Sequence, residues 1–119
     1  MVSRFPRWVY AAGSEPDARF SLANERTFLS WIRTGLALSA AGVALEAVDL
    51  PIAAGLRLAS ALILVGLGMV TPVLAWLRWA SLERGMRLLR PVPSPLLGPV
   101  LTAGTAVASA LVLIGLVIR

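Results

Sequence analysis

The sequence predicts an all-α membrane protein with three transmembrane helices, and three observations carry that expectation. Of the 119 residues, 58% are hydrophobic and only 14% are charged. Mean hydropathy is +0.83. A soluble chain of this length has no core large enough to hide so much apolar surface, whereas a bilayer accepts it directly. Third, three separate apolar runs each reach the roughly 20 residues a helix needs to cross a hydrocarbon core about 30 Å thick. Each run has to be helical, because an open strand edge leaves its backbone groups unpaired in lipid.

Residues 1–20, MVSRFPRWVYAAGSEPDARF, hold no apolar run long enough for a signal peptide and read as a mobile cytoplasmic arm. The breaker Gly-Ser-Glu-Pro-Asp at residues 13–17 closes that arm. Residues 21–119 form the membrane domain, with helices expected over about 21–48, 56–89 and 97–118. Ser21 is the expected N-cap of the first helix, which places Glu25 in its first turn, where a carboxylate complements the positive helix end. The second helix carries Pro72, which removes a backbone donor and predicts a kink. Beyond the bilayer that helix continues as a basic stub, with Glu83 and Arg87 at a favourable four-residue spacing.

Charge sets the orientation. The net charge of +5 comes entirely from arginine. Arginines gather on the N-terminal arm and on the second connection, at Arg78, Arg84, Arg87 and Arg90, while the first connection holds only Arg57 and the C-terminus only Arg119. The positive-inside rule therefore puts the N-terminus in the cytoplasm and the C-terminus outside. Trp31, Trp76 and Trp79 fall at the cytoplasmic interface under that topology, where indole rings prefer to lie.

The stretch LANERTFLSWIRTG, residues 22–35, raises the functional question. Arg19, Arg26 and Arg33 recur every seven residues, two helical turns with a rise of about 10 Å, so they share one face with Ala23, Ser30 and Ala37. Such guanidinium groups either snorkel to lipid phosphates or converge with those of neighbouring subunits on an anion. Asn24, Glu25 and Ser30 beside them suggest a supporting polar network, which a lipid anchor does not require. Small residues on the first helix (Gly35, Ala37, Ser39, Ala40, Ala41, Gly42, Ala44) and on the third (Thr102, Ala106, Ala110; Gly104, Ala108) permit close helix approach. Three helices cannot enclose a hydrated path alone, so transport would require a homo-oligomer.

Enzyme chemistry is not expected. The chain lacks cysteine, histidine and lysine, so no nucleophile and base pair can be named and no thiolate or imidazole metal site exists. Gly66 and Gly68 lie mid-membrane and form no nucleotide loop. No cofactor or nucleic-acid partner is implied; the basic clusters suit membrane lipid.

The Ala23-Asn24-Glu25-Arg26-Thr27-Phe28-Leu29-Ser30-Trp31 string, followed by two more apolar helices and an arginine-rich turn, resembles the small three-helix YidH-type proteins of the bacterial inner membrane. That family is named as a domain of unknown function, and the same domain forms the membrane part of the eukaryotic vacuolar transporter chaperone, a polyphosphate polymerase complex. The resemblance runs from Glu15 to the end of the chain, and its specificity lies in that string. It implies an inner-membrane location and a ring of subunits, five in the eukaryotic complex, whose basic residues guide polyphosphate. Arg19 and Arg26 match basic positions at the cytoplasmic mouth, and Asn24 and Glu25 match the motif's polar pair. The chain departs from the pattern before Leu97-Gly98-Pro99, where Pro95 and Leu96 stand in place of a charge, and it carries no polymerase domain.

Two functions follow as expectations. One is an oligomer with an arginine-lined cytoplasmic vestibule for anions of phosphate or polyphosphate type, acting as a channel. The other is a non-conducting scaffold or accessory subunit that binds lipid or a protein through the arm and the basic connection. A small multidrug exporter fits poorly, because those chains resemble four helices with a membrane-embedded acid.

Overall fold

The computed structural model describes residues 4–92 and 96–118. Pro93, Ser94 and Pro95 of the second connection, and Arg119, lie outside the described residues, as does the departure expected at Pro95. Four helices are present among the described residues: α1 (Arg7–Tyr10), α2 (Ala18–Ala47), α3 (Ala54–Arg87) and α4 (Leu97–Ile118). The last three are each long and apolar enough to cross a membrane. With 30 and 34 residues, α2 and α3 run ~45 and ~51 Å. Both exceed the hydrocarbon core, so their ends project into water.

α2 starts earlier than expected. Asp17 is its N-cap, with Oδ1 accepting from the Arg19 N–H at 2.9 Å. A carboxylate caps as well as a hydroxyl, and starting at Ala18 adds backbone hydrogen bonds to an already nucleated helix. Ser21 and Glu25 therefore sit inside α2, and its first turn contains no acid. At the other end Val48 turns extended, and Arg57 reaches back to Glu46 at 3.4 Å and to the Leu50 carbonyl at 3.4 Å.

α3 continues unbroken through Pro72. It stops in a Schellman arrangement: Leu89 is left-handed at φ 55, its N–H donates to the Met86 carbonyl, and Arg90 N–H donates to the Gly85 carbonyl at 2.8 Å. Leucine holds a position where glycine costs less, and the returned carbonyl bonds offset that cost.

α3 is the hub. Among the described residues α1, α2 and α4 each pack on it and on none of the others. The α2 seam consists of Asn24, Gly35 and Gly42, all buried, a spacing that follows the facing stripe of a helix pair. A Cβ on Gly35 would lie 3.3 Å from both the Gly68 carbonyl oxygen and Pro72 Cδ; one on Gly42 would lie 2.8 Å from the Ala61 carbonyl oxygen. The two backbones meet because no side chain stands between them. On the opposite side Leu97, Leu101 and Ala108 of α4 are buried, Gly104 accommodates Leu67, and Ser60 Oγ donates to the Ala108 carbonyl at 3.1 Å. Only part of each small-residue stripe is used. Ala37, Ala40, Ala41 and Ala44 of α2, and Thr102, Ala106 and Ala110 of α4, are exposed.

The seam makes a specific demand on glycine. In Gly68→Ala the new methyl would meet Ser39 Oγ and lie 2.8 Å from the Gly35 carbonyl oxygen, whereas a methyl on Gly66 meets nothing within 4 Å. Unfolding in mixed micelles should show Gly68→Ala destabilised by about 1–3 kcal/mol, the usual cost of overpacking. Gly66→Ala should match or slightly exceed the parent, alanine being the better helix former.

Candidate functional site

At one end of the bundle α1, the start of α2 and the end of α3 converge on a polar and aromatic cluster. Its centre is Glu83, only 2% exposed. Ser21 Oγ donates to Glu83 Oε2 at 3.1 Å, and Asn24 Nδ2 donates to Glu83 Oε1 at 3.4 Å and to the Trp79 carbonyl at 3.0 Å. Ser21 and Asn24 are three residues apart, one turn of α2, and thus face α3 together. Most buried polar groups are bonded in this way.

The N-terminal residues are fastened to α3, which corrects the expectation of a mobile arm. The Arg87 guanidinium donates to the Ala12 carbonyl at 2.8 Å, the Tyr10 carbonyl at 2.9 Å and Glu15 Oε1 at 3.3 Å. Arg84 Nε donates to the Trp8 carbonyl at 3.1 Å, and the N–H of Ser14 donates to the Arg87 carbonyl at 3.1 Å. Gly13, at φ +51, passes so close to the Arg87 carbonyl that a side chain there has no room. Val9 is fully buried beneath the short α1. Arg4 completes the clasp, pairing with Glu15 at 2.6 Å and lying 4.4 Å above the Tyr10 ring.

Aromatic rings surround this cluster. Trp76 and Trp79 stack at 5.0 Å, Phe28 meets Trp76 edge-on at 6.1 Å, and Tyr10 tilts against Trp79 at 6.4 Å. The rings mark the level at which α2 and α3 pass from apolar to wet surroundings.

The expected site residues separate into two groups. Arg19, Arg26 and Arg33 are exposed on the side of α2 turned away from Asn24, Gly35 and Gly42. Arg19 is bound to Asp17 at 3.0 Å, while Arg26 and Arg33 make no ion pair among the described residues. Of the expected network Asn24 alone joins the buried cluster; Glu25 is exposed, and the exposed Ser30 offers its carbonyl to Thr34. The basic connection is also redistributed. Arg78, Arg84 and Arg87 belong to α3 and only Arg90 lies beyond it, exposed. Arg78 is half-buried with its Nε unbonded, and Arg84 and Arg87 hold the arm. Arg87 pairs with Glu15, so the expected Glu83 and Arg87 pairing along α3 is replaced by contacts across elements. Sequence reasoning gave Glu83 only a pairing with Arg87 and gave Tyr10 no role; the available signal was the Ser21, Asn24 spacing, which suits a buried acceptor on a facing helix.

The part of the clasp formed by Arg4, Glu15 and Arg87 is ionic and should loosen in acid, while the bonds to main-chain carbonyls do not titrate. The Arg4 hydrogen bond, helped by the charges of Arg4 and Arg87, holds the Glu15 carboxyl below its ordinary value of 4.5. Arg19 similarly holds Asp17 below 3.8, through its side chain first and its N–H second. Because these values are lowered by folding, their contribution is complete above the ordinary values and is lost as pH falls through the lowered ones. Hydrogen exchange in detergent, corrected for its intrinsic pH dependence, should therefore show the Ser14 amide and those of α1 protected at neutral pH and less protected below about pH 4, within the carboxylate range. Arg87→Ala, which also loses the bonds to the Ala12 and Tyr10 carbonyls, should show at pH 7 a loss of protection larger than the parent shows in acid.

The family model described as "Domain of unknown function (DUF202)" matches residues 19–85, more than half of the chain and including Ser21, Asn24 and Glu83. Over 84 residues the chain is 45% identical to the uncharacterized protein Rv2272 of Mycobacterium tuberculosis, which covers 70% of this chain and 69% of that one. It is also 45% identical over 82 residues to inner membrane protein YidH of Escherichia coli K12, covering 68% of this chain and 71% of the relative. No solved structure matches it. With three helices able to span a bilayer and these relatives, the chain is a multi-pass protein of the bacterial inner membrane and belongs to the DUF202 family.

Proposed function

We propose that the protein works as a homo-oligomer whose subunits bring Arg26 and Arg33 together around anions of phosphate type, forming a vestibule at the cytoplasmic face and a path for those anions. The observation that carries this is the outward placement of the two guanidinium groups, opposite the seam with α3 and without a carboxylate partner among the described residues. Arg33 lies five residues, about 7.5 Å, beyond Phe28 and two residues, about 3 Å, beyond Trp31, on the apolar side of the aromatic rings. A charge at that depth facing lipid is costly, and the cost falls if a neighbouring subunit and an anion replace acyl chains. The exposed Ala23, Ser30 and Ala37 on the same face leave room for a second helix to approach. Rings of arginine select anions over cations by charge alone. A five-membered ring is what the family resemblance implies.

The alternative of a non-conducting accessory subunit draws less support. It relied on the arm and the basic connection to bind a partner, yet Arg4, Arg84 and Arg87 are committed to contacts within the chain.

Native mass measurement in mild detergent, paired with phosphate efflux from proteoliposomes, tests the proposal. A closed oligomer and a flux reduced about tenfold in Arg26→Ala are expected, the scale of one lost charged contact. A monomer, or equally negligible flux from parent and variant, would overturn it.

A further inference from the structure

We propose that the pocket between α2 and α3 beside Glu83 binds an alkylammonium group, supplied either by a phospholipid head or by a free organic cation. The site is independent of the arginine stripe and of any oligomer. It is a cavity of about 290 Å³ walled by Tyr10, Phe28, Trp76 and Trp79 and carrying the carboxylates of Glu25 and Glu83.

Three features point to a cation of this class. First, Glu83 is buried, and its two bonded partners, the Ser21 hydroxyl and the Asn24 amide, are neutral. No guanidinium lies within ion-pair distance of it among the described residues, since Arg4 and Arg87 both turn to Glu15. A buried carboxylate whose bonded partners are all neutral attracts a cation. Second, the walls are aromatic, and the negative faces of such rings favour a soft, weakly hydrated ammonium over a hydrated metal ion. Glu25, exposed at the rim, adds a second negative charge that draws cations toward the opening. Third, the pocket lies at the aromatic level of the bundle, the depth at which lipid head groups reside. Tyr10 already receives Arg4 at 4.4 Å and Arg87 at 5.5 Å, and Trp76 stacks with Phe5 at 6.2 Å and with Trp79 at 5.0 Å, so Phe28 and Trp79 are the rings left to meet the ligand.

Tryptophan fluorescence of the full chain in phosphatidylglycerol nanodiscs, titrated with choline, tests the assignment. Uncharged 3,3-dimethyl-1-butanol, which has the same shape, serves as the control. A saturable choline response is expected, about tenfold weaker for the alcohol and about tenfold weaker again for choline in Glu83→Gln, the scale of one charge contact. Glutamine can accept from the Asn24 amide with its oxygen and donate from its NH2 to the Ser21 hydroxyl, which reverses, so the helix pair is retained; Trp76→Leu, at the rim, should weaken choline independently. Repeating the titration in phosphatidylethanolamine nanodiscs identifies the source. Competition there supports the lipid head as occupant, and an unchanged response supports a free cation. Absence of a saturable response in phosphatidylglycerol, or one shared equally by the alcohol and by Glu83→Gln, would overturn the proposal.

Discussion

Direct backbone contact between α2 and α3 governs the rest of this molecule. Gly35 and Gly42 on one helix and Gly68 on the other remove the side chains that would hold the axes apart. In lipid there is little hydrophobic gain from pairing helices, so close packing and interhelical hydrogen bonds have to hold them. The contact also fixes the rotation of α2 about its own axis. Once Gly35 and Gly42 face inward, Asn24 reaches Glu83 and Arg26 and Arg33 point away.

That rotation divides the charged residues by role. Glu15, Asp17, Glu46 and Glu83 each bind a partner within the chain, and Arg4, Arg19, Arg57, Arg84 and Arg87 are held in the same way. Arg84 and Arg87 also occupy the last turn of α3, where a cation complements the negative helix end. The arm is thus joined to the end of a membrane helix. Outward on α2 are a cationic stripe and, around the corner of the same helix, an acidic aromatic pocket. The two surfaces have opposite charge preferences and share only the helix that displays them.

The three spans were legible because length and apolarity alone decide them in a bilayer. The α4 start at Leu97 and the end of α3 at Arg87 fell within two residues of expectation. The start of α2 did not, since Ser21 and Asp17 are equivalent caps by local chemistry and only the tertiary use of the Ser21 hydroxyl distinguishes them. The seven-residue spacing of the arginines was readable, and so was the fact that they share a face. Which face pairs with α3 was not, because small residues lie on several sides of α2. The docking of the arm was invisible for a similar reason: Arg87 donates to main-chain carbonyls, and carbonyls carry no sequence signature.

Rotation of α2 can be read directly by disulfide formation, and the chain contains no cysteine to obscure the result. A Cβ at Gly35 lies 3.5 Å from Thr71 Cβ, within the range a disulfide needs, and its contacts with the Gly68 carbonyl oxygen and Pro72 Cδ, both 3.3 Å, require a shift of only a few tenths of an ångström. Oxidation of Gly35→Cys paired with Thr71→Cys should close a crosslink, whereas Arg33→Cys paired with the same α3 cysteine should stay reduced. A crosslink from position 33 and none from position 35 would mean that the arginine face packs inward, contradicting the account at its root.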